Sequence, residues 1–137
     1  MRVVLGIDAF YNIESFYKAF ARKHQNDYSI QMMVDNINQV VDGVLSIDVN
    51  RSRTPILPRH QALGYREYPF IRIRGTRFDW YAEYTVETND NGEGFILVHE
   101  VLHRSQMHES AKQNNRVLLN EDKLRRIVRE TLIRLYS

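Results

Sequence analysis

Arg77-Phe78-Asp79-Trp80-Tyr81-Ala82-Glu83-Tyr84-Thr85-Val86-Glu87 decides the fold, because it alternates without a break. Phe78, Trp80, Ala82, Tyr84 and Val86 fall on one side; Arg77, Asp79, Tyr81, Glu83, Thr85 and Glu87 fall on the other. A period of two predicts a strand with one packed face and one wet face. Downstream, the turn-forming cluster Asn89-Asp90-Asn91-Gly92-Glu93-Gly94 leads into an apolar return strand, Phe95–His103, expected near the sheet centre. Upstream, the same period begins at Tyr65, and Pro69 marks that strand as an edge or a bulge. Ser46–Leu63 contains Pro55 and Pro58 and lacks a clear period, so it reads as a loop with a turn of helix near Arg59–Leu63.

The N-terminal part changes period. Arg2–Ile7 reads as a short buried strand, and Asp8 as the N-cap of a helix to about His24, with Phe10, Ile13, Tyr17, Phe20 and Ala21 on one stripe. Asn26-Asp27 restarts a second helix, whose apolar face is Ile30, Met33, Val34, Ile37, Val40, Val41 and Val44. Two amphipathic helices with so short a link predict a helical hairpin covering a sheet. At the other end, a polar linker (Met107–Arg116) precedes an amphipathic helix that Asn120 can cap, with Leu124, Ile127, Val128, Thr131, Leu132 and Leu135 as its stripe. Glu121/Arg125 and Asp122/Arg126 are favourable i,i+4 pairs, and Arg129 and Arg134 suit the C-terminal end of the dipole. Such a helix packs on its own domain, on a second copy, or on a partner; its mixed-sign polar face argues against a membrane surface. The expected class is α+β: an N-terminal strand, a helical hairpin on a mostly antiparallel sheet of about four strands, and a C-terminal helix. The expected division is a domain at 1–108 and an appendage at 109–137.

The chain has 137 residues, 43% hydrophobic and 26% charged, a globular composition with room for one core. It has no Cys, which removes disulfides and thiolate metal sites and fits a reducing compartment. No stretch approaches the ~18 apolar residues of a membrane span, and no signal-peptide core is visible. The net charge of +2 is unevenly placed: residues 51–77 hold seven Arg against Glu67 alone, whereas 78–108 hold six acidic residues against Arg104. An all-Arg block suits phosphate oxygens through its planar forks, or it neutralises the acidic strand beside it.

Few motifs for chemistry occur. His99 and His103, four apart on a strand, would be about 13 Å apart and cannot share an ion. No carboxylate has obvious ligand spacing, so neither a metal nor another cofactor is expected. No Gly-rich phosphate loop or nucleophile elbow is present. Asp79, Glu83 and Glu87 share a strand face, as paired acids or, more simply, as a solvated surface. What remains is Arg74, Arg77, Tyr81, His103 and Arg104, with Arg51, Arg53, Arg59, Arg66 and Arg72 as phosphate-binding candidates. Converged in one cleft, such a set could cleave RNA without metal: Arg would stabilise the phosphate charge, while His or Tyr would move a proton. The alternative is a surface sheet of Arg–carboxylate pairs.

Three stretches, in their order, resemble the RelE/ParE superfamily of toxin–antitoxin toxins: Gly64-Tyr65-Arg66-Glu67-Tyr68-Pro69, Phe78-Asp79-Trp80-Tyr81-Ala82-Glu83-Tyr84, and Val98-His99-Glu100-Val101-Leu102-His103-Arg104-Ser105-Gln106. The likeness spans roughly residues 1–108. It implies a small cytoplasmic protein bound by an antitoxin. It implies one of two activities: a translation-inhibiting endoribonuclease acting on ribosome-associated mRNA, or a binder of DNA gyrase or another protein without nuclease chemistry. Under the first, Arg74 or Arg77 would hold phosphate, with Tyr81 and His103-Arg104 beside the scissile group. The acidic third strand and residues 109–137 depart from the family pattern.

Overall fold

The computed structural model describes residues 1–23, 29–74, 77–107, 118–119 and 121–135, without the side chains of 72–74, 77, 118–119 and 134–135. The expected end of the first helix at His24, the Asn26-Asp27 restart and the Asn120 cap lie outside the described residues. The fold is α+β. Its elements are β1 (Arg2–Gly6), α1 (Ile7–Lys23), α2 (Ile30–Leu45), a 3-10 turn (Val49–Arg51), α3 (Pro58–Ala62), β2 (Arg66–Arg74), β3 (Arg77–Thr88), β4 (Gly94–His103), a second 3-10 turn (Arg104–Gln106), β5 (Leu118–Leu119) and α4 (Glu121–Leu135). The sheet runs β2-β3-β4-β1-β5. The β1/β4 pair is parallel, and the other pairs are antiparallel. As expected, β4 is internal and the Pro69-bearing β2 is an edge.

Helices α1 and α2 pack on one face and α4 packs against them; Leu5, Phe10, Ile13, Met33, Ile37, Val41, Phe70, Trp80, Tyr84, Val98 and Val101 form the core. Leu124, Val128 and Leu132 of α4 belong to the same cluster, so the C-terminal helix packs on its own domain. Arg125 reinforces this contact by bonding both Asp42 of α2 and Glu121. Helix α2 approaches β2 closely at Gly43, where an added Cβ would sit 2.5 Å from the Phe70 ring.

Three local expectations need correction. Helix α1 begins at Ile7, so Asp8 sits inside its first turn rather than capping it. Helix α2 is capped by Ser29, whose Oγ accepts from the Met32 amide at 3.1 Å; Ile30, at the very start, is exposed and does not join the buried face. A register shift opposite Glu83/Tyr84 places an extra residue, His99, in β4, and Val86, near the end of β3, is exposed instead of packed.

The second sheet face is not wet. Tyr81, Glu83, Glu100 and Leu102 are buried there, because the segment between α2 and β2 folds across it. Arg53 forms a two-way backbone bridge with Glu67 at 2.9 Å, fastening this segment to the β2 edge. Pro58 opens α3 at a position where a missing N–H costs nothing. Gly64, at φ 74, supplies the left-handed residue that turns the chain into β2. Between them, His60 is aimed at the sheet.

Candidate functional site: a buried His–Glu cluster

Strand register creates an unusual row. Glu67 pairs with Glu83, and Glu83 pairs with Glu100, so three carboxylates stand side by side on adjacent strands. Like charges directly opposite each other repel, and burial strengthens the repulsion. All three are buried, with exposures of 0%, 0% and 2%. The compensating groups descend from the covering segment. His60, itself 0% exposed, places Nδ1 3.0 Å from Glu83 Oε1 and Nε2 2.8 Å from Glu100 Oε2. Arg53 donates through Nε to Glu67 Oε2 at 2.8 Å, with its guanidinium 5.5 Å above the Tyr81 ring. Around this centre Tyr65 stacks on His99 at 4.7 Å, and His99 Nε2 meets Thr85 Oγ1 at 2.8 Å.

These surroundings move two protons. Burial alone would lower the His60 pKa, but its contacts with Glu100 and Glu83 outweigh that and raise it to about 9. Burial raises Glu83 to about 8; His60 opposes this rise, and neighbouring Glu67 adds to it. At neutral pH His60 therefore carries a proton and Glu83 is neutral. A neutral Glu83 in the middle of the row, with His60 and Arg53 as cations beside it, makes so many acidic groups tolerable in a core.

The cluster proposed from sequence is not assembled. Trp80 pairs with His103 and Tyr81 with Leu102, so Tyr81 and His103 point to opposite faces of the sheet. His103 lies on the helix side, stacked on Phe16 at 4.4 Å and edge-on to Trp80; its Nδ1 accepts from the Ser105 amide at 3.1 Å. Its pKa is lowered, chiefly by burial. Arg104 approaches Asp79 at 3.8 Å. Of the phosphate-binding candidates, Arg53 is held by Glu67, Arg66 donates to the Ser52 carbonyl at 3.2 Å, Arg51 is exposed 3.9 Å from Asp48, and Arg59 is half-buried. Arg72 pairs with Phe78 and Arg74 with Arg77 by register, at the far end of the β2–β3 hairpin; what their side chains do lies outside the described residues.

Sequence reasoning missed His60, Glu67, Glu83 and Glu100 as a unit. One signal was available: Glu100 is a lone carboxylate in the apolar run Ile96–Leu102, on a strand expected at the sheet centre. A central strand covered on both faces does not carry an unpaired charge, so a partner was required. No protein-family model, curated protein or solved structure matches the chain.

Proposed function

We propose that the protein is a binding module, built on a scaffold like that of the RelE/ParE toxins, that captures an amphipathic helix of a partner protein, the antitoxin in that setting. The observation that carries this reading is a groove of about 430 Å³ between α2 and α4, lined by Ile30, Val34, Val128, Leu132 and Ile133. Ile30 and Ile133 are 52% and 63% exposed, an apolar pair that a monomer has no internal reason to present. Arg129 lines the same groove beside Arg125, which Asp42 and Glu121 hold, so the fitting occupant is a helix with apolar residues at i, i+3/i+4 and i+7 and an acidic residue placed to meet Arg129. The separation of Tyr81 from His103 favours binding over the nuclease chemistry.

The test is expression of the chain with and without the product of any short reading frame found beside its own, with calorimetry on the purified pair. Ile133→Glu, at an exposed position, is expected to weaken the complex about 30-fold or more, the loss typical of a central apolar anchor. His103→Ala is expected to leave both the complex and any growth arrest intact. Growth arrest abolished by His103→Ala and untouched by Ile133→Glu would return the nuclease reading to first place.

A further inference from the structure

The cluster beneath α3 presents more ligand atoms than its own contacts use. Glu67 engages Arg53 through Oε2, while its Oε1 is buried without a hydrogen-bond partner. Both oxygens of Glu83 are in the same condition. Both ring nitrogens of His60 likewise lack an in-line hydrogen bond, Nδ1 lying 3.0 Å from Glu83 Oε1 and Nε2 2.8 Å from Glu100 Oε2. One ligand atom from each of His60, Glu67 and Glu83 lies within 4.8 Å of the others. A buried polar atom left without a partner costs ~1–3 kcal/mol, and more when charged. Glu67 Oε1 and Glu83 Oε2 are left without a hydrogen bond beside the His60–Glu83 contact, an arrangement a purely structural core would avoid.

We propose that His60, Glu67 and Glu83 bind one divalent first-row transition cation, with Glu100 and Arg53 as positioning residues. His60 Nδ1, Glu67 Oε1 and one oxygen of Glu83 supply three donors, and one imidazole with two carboxylates suits Zn²⁺ or Mn²⁺. Donors at ~2.0–2.2 Å around a tetrahedral ion stand ~3.3–3.6 Å apart, so modest side-chain adjustment closes the site. The surroundings match a metal centre in a second respect. Nε2 of His60 meets Glu100 at 2.8 Å, the contact that fixes the tautomer and direction of a metal-bound imidazole. Arg53 turns Glu67 the same way, leaving Oε1 inward. Three carboxylates, one guanidinium and a dication sum to zero charge with a neutral imidazole. Because every ligand is fully buried, the ion would clamp α3 to the sheet rather than meet a substrate.

The test is isothermal titration of the full chain, stripped with chelator, using ZnCl₂ and MnCl₂ separately. One equivalent is expected to bind at micromolar concentration or tighter and to raise the melting temperature. Glu83→Gln is expected to weaken binding at least 100-fold, and Glu100→Gln by about 10–100-fold, the usual loss for an outer partner of a ligating His. His103→Asn, on the opposite sheet face, is expected to bind as the wild type does. If Glu83→Gln does not fold, the Co²⁺ form decides, through a visible absorption band of tetrahedral intensity that needs about 10–100-fold more metal to appear in Glu100→Gln. No saturable binding of either ion to the wild type, or loss of binding in His103→Asn with retention in Glu83→Gln, overturns the proposal.

Discussion

Replacing Glu83 by Gln is expected to stabilise the metal-free protein at neutral pH, against the usual rule that removing one member of a buried ionic cluster is harmful. The reason is that Glu83 is held neutral in the folded state, with a pKa raised from 4.5 to about 8. From pH 4.5 to 8 the folded chain keeps a proton that the unfolded chain releases, so stability falls as pH rises through this window. At pH 7 the gap of 2.5 units corresponds to a cost of about 3 kcal/mol at 1.36 kcal/mol per unit. A Gln amide has nearly the same shape and no proton to retain, so it removes most of that cost. His60 adds a second loss in the same direction. Its folded pKa of about 9 lies above the ordinary value of 6.5, so its contribution is complete below pH 6.5 and gone above pH 9. Wild-type stability is therefore expected to fall most steeply between pH 6.5 and 8, where both groups act, and Glu83→Gln to flatten that fall by about one proton's worth. Urea unfolding at pH 5, 6, 7 and 8 in the presence of chelator measures both effects. A variant that is less stable at pH 7, with the wild-type pH slope intact, would show that Glu83 is ionised in the core and that the charge balance drawn here is wrong.

Three other outcomes follow from packing. Gly43→Ala is expected to cost about 1–3 kcal/mol in chemical denaturation, because the new methyl meets the buried Phe70 ring at 2.5 Å. Leu124→Ala is expected to cost about 2–5 kcal/mol, the range for a core leucine, and to lower the melting temperature of the whole domain in one transition. A separate, weaker transition for α4 would instead support an independent appendage. Ser29→Ala is expected to cost about 1 kcal/mol by removing the acceptor for the Met32 amide, with Ser29→Asp recovering most of it.

The sheet and its helices were legible because periodicity is a local property. The alternation from Arg77 to Tyr84 and the stripes Met33–Val44 and Leu124–Leu132 each identify a buried face without reference to the rest of the chain. Pro69 marked the edge strand for an equally local reason, the donor it lacks. Even the docking of α4 on its own domain was among the arrangements its stripe allowed.

The site was a different matter. Periodicity identifies which side chains share a face of β3, but it cannot say whether that face meets water or another part of the chain. The segment from Ser46 to Leu63 reads as a loop with a turn of helix, and only its passage over the sheet turns Glu83 from a solvated residue into a buried acid. Likewise Tyr81 and His103 both bear polar atoms near strand ends, yet one step of register sends them to opposite faces. Amino-acid order by itself determined the elements, their buried stripes and the edge of the sheet, since these depend on neighbours within a turn or two. Tertiary structure alone decided which charges meet, because His60 and the three glutamates converge through strand register and a chain crossing that no local spacing encodes.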